Sequence, residues 1–301
     1  MKFLECSEAF SPGGLSGFFR THIVEGDYLK SGAWGAGLAL DRGVFVRVRF
    51  AKEPGVIKTF LNGFSGDYFV AKTVVKEILK RSDINRGIII EQVTDLPIGG
   101  GLGTSGASAL ATALATAKLV GYKASYMELA RIAHIADIVN GTGLGTVSGL
   151  VVGGAVMVVS PGAPGYDRVD RILVGSNVKV VVGFFGPINK RDVISSDKIS
   201  EIDKLGEVAL EELVREPTIE NFVRVSRWFA EESGLITKNV RKALEKIDKL
   251  DVIGASMAMI GDTVYVLTDN DLLEDVVSGL RDVGAKVYVS SIAWTPAYLI
   301  R

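Results

Sequence analysis

Cysteine and histidine are nearly missing from these 301 residues: Cys6 stands alone, and His22 and His134 are the two histidines. That scarcity excludes an internal disulfide, a cysteine-clustered metal site and a multi-histidine zinc centre. Any metal chemistry must rest on carboxylates and hydroxyls, the hard oxygen donors that suit magnesium. An excess of positive charge is missing too. Lys and Arg total 34 against 35 for Asp and Glu, so no bulk field draws the chain onto nucleic acid or an anionic membrane. Long apolar runs are also absent, because glycine or charge breaks each one short of a membrane span. The opening MKFLECSEAF carries Glu5 and Glu8 where a signal peptide needs an apolar core. The expectation is a cytoplasmic protein whose partner is a small molecule, with neither nucleic acid nor membrane.

What is there is apolar material, 48% of the residues, enough for one large domain or two moderate ones. We expect two, 1–170 and 171–301, with the run PGAPGYD from Pro161 to Asp167 as linker, since its prolines and glycines continue neither helix nor strand. Phe3 to Phe10 reads as a strand ending in a Pro12-Gly13-Gly14 turn, and Gly37 to Phe50 alternates apolar and polar residues as a half-buried strand does. Phe69 to Leu79 has helical spacing and Gly87 to Val93 reads as a buried strand. That strand feeds PIGGGLGTSG, after which SALATALATAKLV and Tyr126 to Val139 read as helices. Further on, Val178 to Phe185 predicts a strand, Ser200 to Val214 and Ile219 to Glu232 predict helices, and the end alternates strand and helix. Composition and periodicity alone allow α/β or α+β.

The glycine loop is the most informative segment. Gly99, Gly100, Gly101 and Gly103 let the backbone approach a ligand closely, and the helix beginning near Ser105 aims its unpaired N–H groups at the same place. A helix N-terminus carries roughly half a positive charge, so a polyphosphate is its natural occupant. Gly101-Leu102-Gly103-Thr104-Ser105-Gly106 also fits the dinucleotide pattern G-x-G-x-x-G, although no acidic residue closes a strand some twenty residues on. A P-loop would need a lysine before the helix, and there is none. A glycine-rich turn without ligand is the remaining reading.

The longer run from Pro97 through Gly99, Gly100, Gly101, Leu102, Gly103, Thr104, Ser105 and Gly106 to Ala107 resembles the central phosphate motif of the GHMP superfamily, the galactokinase, homoserine, mevalonate and phosphomevalonate kinases. An SPGG segment after the first strand and a late GASMAMIGDTVYVL segment match the other two family blocks in order. Within the superfamily the chain is similar to the archaeal pantoate kinases, through Pro12 to Phe19, Ser31 to Gly37, Gly141 to Gly145, and Gly153-Gly154 followed by Pro161-Gly162. The resemblance implies an α+β fold: an N-terminal domain with a mixed sheet and a left-handed βαβ element beside a C-terminal ferredoxin-like domain. It further implies ATP and Mg2+ as cofactors, a small hydroxy acid as substrate, and a homodimer.

Residue roles follow from the same likeness. Pro97 to Gly106 would bind the nucleotide, with Ser105 and Asp137 as the magnesium pair. Ser105 could equally be a helix cap, and Asp137 could instead face solvent or pair with His134. Ser31, His134 and Gly143 are substrate candidates. Thr146 is counted with the catalytic residues because it stands where the pantoate kinases carry an aspartate, the base for the substrate hydroxyl. Val158 stands where they carry an arginine suited to gripping a carboxylate. Threonine cannot serve as a base at neutral pH, so the expectation is a kinase without a dedicated base. Arg20, His22, Lys30 and Arg47 are the cations that could take over anion recognition, or simply be solvated surface charges.

Overall fold

The computed structural model describes residues 4–188 and 196–301. Two long strands, β1 (Cys6–His22) and β2 (Gly32–Phe50), pair antiparallel along their whole length and carry the larger sheet. Its order continues from β2 to β5 (Ile88–Val93), β3 (Ile57–Leu61) and β4 (Phe64–Ser65), while β12 (Tyr298–Leu299) closes the other edge beside β1. The β3–β5 pair is parallel, with α1 (Phe69–Arg81) in the crossover, and the other pairs are antiparallel, so the sheet is mixed. The first half of β2 also pairs with β6 (Ala155–Ser160), and β6 with β7 (Arg168–Ile172).

Three helices cover this sheet: α2 (Thr104–Val120), α3 (Tyr126–Val139) and the short α4 (Thr146–Leu150). The alanine-rich α2 is buried nearly all round, because small side chains let it lie close to the strands while α1 and α3 pack outside it. The smaller sheet holds β8 (Lys179–Gly186), β9 (Gly254–Met257), β10 (Asp262–Thr268) and β11 (Lys286–Ser291) in the order β11-β8-β10-β9, all antiparallel. This is the ferredoxin-like order. Between β8 and β9 lie α5 (Ser196–Arg215), α6 (Ile219–Glu232) and α7 (Lys238–Ile247), and α8 (Leu273–Asp282) joins β10 to β11. Thr218 and Thr237 cap α6 and α7 by accepting from the N–H groups of Asn221 and Val240.

Three local expectations are corrected. Pro12-Gly13-Gly14 is not a turn: β1 runs straight through it with a register shift between Pro12 and Gly13, since a bulge accommodates a proline that donates no ladder bond. The Pro161 to Asp167 run is a connection within the larger sheet, because β6 and β7 pair across it. The third helix, α7, was missed, although Val240, Ala243, Leu244 and Ile247 recur at helical spacing and are buried.

The sheets are bonded to each other through backbone. Met259 N–H donates to Ser16 O at 2.9 Å, Ala293 N–H to Ala39 O at 2.8 Å and Gly154 N–H to Ala293 O at 2.7 Å. The last residues return to β1. Ile300 N–H donates to Glu8 O at 2.8 Å, and the buried Glu8 carboxylate accepts from Arg47 Nε at 2.6 Å and Arg301 Nε at 2.8 Å. Burial by itself would raise the Glu8 pKa; the hydrogen bonds and charges of Arg47 and Arg301 outweigh it and hold the carboxyl below its ordinary value. A depressed carboxyl stabilises the fold above the unfolded-state pKa and loses that contribution as pH falls through the folded-state value. Glu8→Gln is expected to cost about 1.5–3 kcal/mol near neutrality. In urea denaturation the gap between wild type and variant should close on acidification below about pH 4, near and below the ordinary glutamate pKa; a gap that stays constant with pH contradicts the assignment.

Candidate active site

Three glycine segments distant in sequence meet at the N-terminus of α2, at distances that leave no room for a side chain. In the loop, Gly99, Gly101 and Gly103 have φ of 76°, 74° and 61°, the left-handed region in which glycine is at ease. In β1, Gly14 N–H donates to Leu102 O at 3.1 Å. A Cβ on Gly13 would lie 2.4 Å from Leu96 Cδ1, and one on Gly103 would lie 2.6 Å from Gly14 O. From the smaller sheet, the turn between β9 and β10 presses on the loop. A Cβ on Gly261 would lie 2.2 Å from Gly100 O, and one on Gly101 would lie 3.1 Å from Ala258 O. The loop is therefore held on both sides by backbone.

The N-cap of α2 is Gly103, which offers no side chain to the first-turn N–H groups. Ser105 therefore does not have the alternative role of cap: it is the second residue of α2, half-buried in the first turn. Helix N-terminal donors left without a side-chain cap, on a loop of close-approaching backbone, form an anion site.

Asp137, on α3, is 2% exposed. Its carboxylate accepts from Thr142 Oγ1, and its Oδ2 lies 3.3 Å from the Cβ position of Gly106 and 2.3 Å from that of Gly143. A buried carboxylate thus sits directly against the first turn of α2. Thr146 opens α4 beside the same turn, its Cβ 3.1 Å from the Cβ position of Gly106. Asp137, Thr146, Gly143, Gly106 and the loop are brought together.

Next to them lies a cavity of about 450 Å³. Its walls come from β1 (Phe19, Thr21), β2 (Ala33 to Ala39), the Gly141 to Thr146 loop, β6 (Val156, Val158) and Ile199 of α5. Among the described residues no charged side chain lines it. Helix α5 is fixed over it by Asp203, whose carboxylate accepts from Thr21 N–H at 2.7 Å and Thr21 Oγ1 at 2.8 Å. Neither Asp203 nor Ile199 carries a local signal in the sequence, because their places depend on how α5 crosses β1.

Ser31 and His134 are placed otherwise. Both are buried, at 0% and 1%, and neither belongs to the cavity wall. His134 Nε2 is 2.9 Å from Ser31 O, and Ser31 Oγ bonds within the turn from Val24 to Ser31. Burial holds the His134 imidazole below its ordinary pKa, against the opposing pull of the Ser31 carbonyl and Asp137. The neutral ring donates to the carbonyl and steadies that turn. The four candidate cations also lie off the wall. Arg47 pairs with Glu8, Lys30 with Asp27, Arg20 with Glu207 and the face of Trp34, and His22 meets the edge of Trp34.

Comparison with known proteins accords with this geometry. Residues 68–154 match the GHMP kinases N terminal domain and residues 209–286 the GHMP kinases C terminal family. A pantoate kinase of Methanocaldococcus jannaschii is 34% identical over 274 residues, 91% of this chain and 97% of the relative. One of Thermococcus kodakarensis is 30% identical over 296 residues, 94% of this chain and 95% of the relative. A solved structure described as a phosphotransferase related to the CoA biosynthesis pathway superposes with a TM-score of 0.90 at 27% identity, covering 98% of this chain and 99% of its own. The chain belongs to the GHMP kinases. No described helix is long and apolar enough to cross a membrane.

The contact between Gly261 and the loop gives a direct test. Gly261→Ala, a change in the smaller sheet, is expected to weaken nucleoside triphosphate binding by about tenfold or more, since an ångström of misplacement can cost a hundredfold in a tuned site. Calorimetric titration reads it. Gly279→Ala, whose Cβ would meet its nearest neighbour at 3.6 Å, should bind as wild type does; equal binding by both variants refutes the buttress.

Proposed function

We propose that the protein is an ATP-dependent kinase that phosphorylates the 4-hydroxyl of pantoate. The observation that carries this reading is the placement of a cavity, lined by no charged side chain among the described residues, against a helix N-terminus without a side-chain cap, in a chain similar over nearly its full length to two archaeal pantoate kinases. The loop from Pro97 to Gly106 would cradle the ATP phosphates with its backbone donors.

The donor set fits magnesium. No group of three His, Cys, Asp or Glu side chains converges among the described residues, and Mg2+ is usually held by one or two carboxylates together with substrate phosphates and water. Asp137, buried against α2, and Ser105, in its first turn, are the residues that would hold the ion. Bound there, it would supply neutralisation of the charge that develops on the transferred phosphoryl group.

Thr146 stands where the cavity meets the loop. Its hydroxyl would orient the substrate hydroxyl toward the γ-phosphorus by accepting or donating a hydrogen bond. It does not remove the proton. Phosphoryl transfer through a loose transition state needs little early deprotonation, so the bond from the γ-phosphorus to ADP would break as the bond to the acceptor oxygen forms, and the hydroxyl proton would pass late to an oxygen of the transferred phosphoryl group. We propose further that the chain divides near residue 170 into an ATP-binding part, 1–170, and a second part, 171–301, whose last strand returns to the larger sheet, and that it acts in the cytoplasm as a homodimer.

Thr146 and Val158 favour a second reading, an acceptor other than pantoate or a nucleotide-binding protein without turnover. Acceptor-dependent ADP release with Mg-ATP, measured with pantoate, homoserine and mevalonate, separates them. Turnover is expected with pantoate. Ser105→Ala and Asp137→Asn are each expected to lower kcat by about a hundredfold or more. Thr146→Ser should retain most activity while Thr146→Val loses about tenfold or more, the low end for a group positioned at the reacting atoms. ATP binding with no turnover of any acceptor would replace this proposal with the non-catalytic reading.

A further inference from the structure

We infer that Arg42 is a positioning residue for the phosphate loop, tying β11 of the smaller sheet to the entry of the loop through Asp95. This rests on the reading of that loop as the nucleotide site and adds what sets its place. The ladder between β1 and β2 skips two residues of β2: Pro12 faces Gly43 and Gly13 faces Leu40, so Asp41 and Arg42 bulge out of it. Both side chains reach β11. Asp41 Oδ1 accepts from Ser291 N–H at 3.0 Å and from Ser290 Oγ, and Arg42 Nε donates to Val289 O at 2.6 Å. Arg42 Nη1 pairs at the same time with Asp95 Oδ2. One planar fork of donors thus holds a carbonyl of β11 and the Asp95 carboxylate in a fixed relation.

Asp95 stands after the end of β5 and two residues before Pro97, where the loop opens. Its neighbours rest on the same bulge. Thr94 Oγ1 donates to Gly43 O at 2.7 Å and accepts from Leu96 N–H at 3.1 Å. The Cβ position of Gly13 lies 2.4 Å from Leu96 Cδ1 and 3.0 Å from Arg42 O. Thr94 and Leu96 are buried, and Asp95 is the exposed residue between them. The smaller sheet therefore meets the loop at two places, at Gly100 through Gly261 and at its entry through Arg42. Two contacts set an orientation that one leaves free, and the loop's backbone donors are aimed by that orientation. Both partners of the Arg42–Asp95 pair are partly exposed, so the pair adds little to stability and its effect is read in binding.

Calorimetric titration of the full chain with Mg-ATP tests this. Arg42→Gln, Asp95→Asn and the double variant are each expected to weaken binding about three- to tenfold, the double no more than either single, because each breaks the same link. Arg42→Lys keeps the charge without the fork and is expected to weaken binding about threefold. Arg49→Gln breaks a comparable exposed pair, with Glu91 at 3.6 Å, further along β2, and should bind as wild type does. Thermal unfolding midpoints should stay near that of the wild type. The sign at Asp95 separates positioning from charge: were Arg42 only a positive charge near the phosphates, Asp95→Asn would tighten binding and Arg42→Lys would leave it unchanged. Binding that is tighter or unchanged in Asp95→Asn, unchanged in Arg42→Lys, weakened additively in the double variant or equally weakened in Arg49→Gln overturns the inference and leaves the nucleotide reading standing. A wild type that does not bind Mg-ATP overturns both.

Discussion

The structure depends on one constraint: three stretches of backbone approach each other so closely at the start of α2 that side chains cannot stand between them. Gly13 and Gly14 come from β1, Gly99 to Gly103 from the loop, and Gly261 from the smaller sheet. Each contributes glycine for a steric reason, and the outcome is a loop whose shape is set by its neighbours and whose helix N-terminus has no side-chain cap. Such a site requires little reorganisation to receive a polyphosphate, which is how preorganised donors become effective in phosphoryl transfer.

The rest of the site is arranged around that loop. Helix α3 lays the buried Asp137 against the first turn of α2, and Thr142 holds the carboxylate from the loop that follows. The same loop carries Gly143 and Thr146 to the edge of the cavity, and β6 supplies the apolar far wall. Helix α5, pinned to β1 through Asp203 and Thr21, closes the side that belongs to neither the loop nor α4. The buried Asp137 carboxylate, the N-terminus of α2 without a side-chain cap and a cavity with no charged side chain among the described residues thus adjoin one another.

The loop, Asp137 and the helices α2 and α3 were legible in the sequence because their signals are local: glycine spacing, strong helix formers, and a carboxylate on an apolar helix. The boundaries of α3 fell at Tyr126 and Val139, as its periodicity indicates. What was not legible is long-range. That Gly261 touches Gly100 could be known only from the way the smaller sheet sits against β1, although the glycine motif itself was visible. The continuity of β1 through Pro12 was hidden because a proline with two glycines reads locally as a turn, and only pairing with β2 reveals the bulge. His134 and Ser31 were substrate candidates through the family likeness. Their burial and mutual bond were decided by how the turn from Val24 to Ser31 folds onto α3.

The central claim is that this arrangement transfers a phosphoryl group from ATP to an alcohol oxygen held at Thr146. Phosphorus NMR of a reaction containing the protein, Mg-ATP and pantoate tests it most directly. One new phosphomonoester resonance, coupled to the two protons of the methylene that bore the hydroxyl, is expected to appear in step with ADP. An acyl phosphate in its place, or ATP that remains intact in the presence of pantoate, would contradict it.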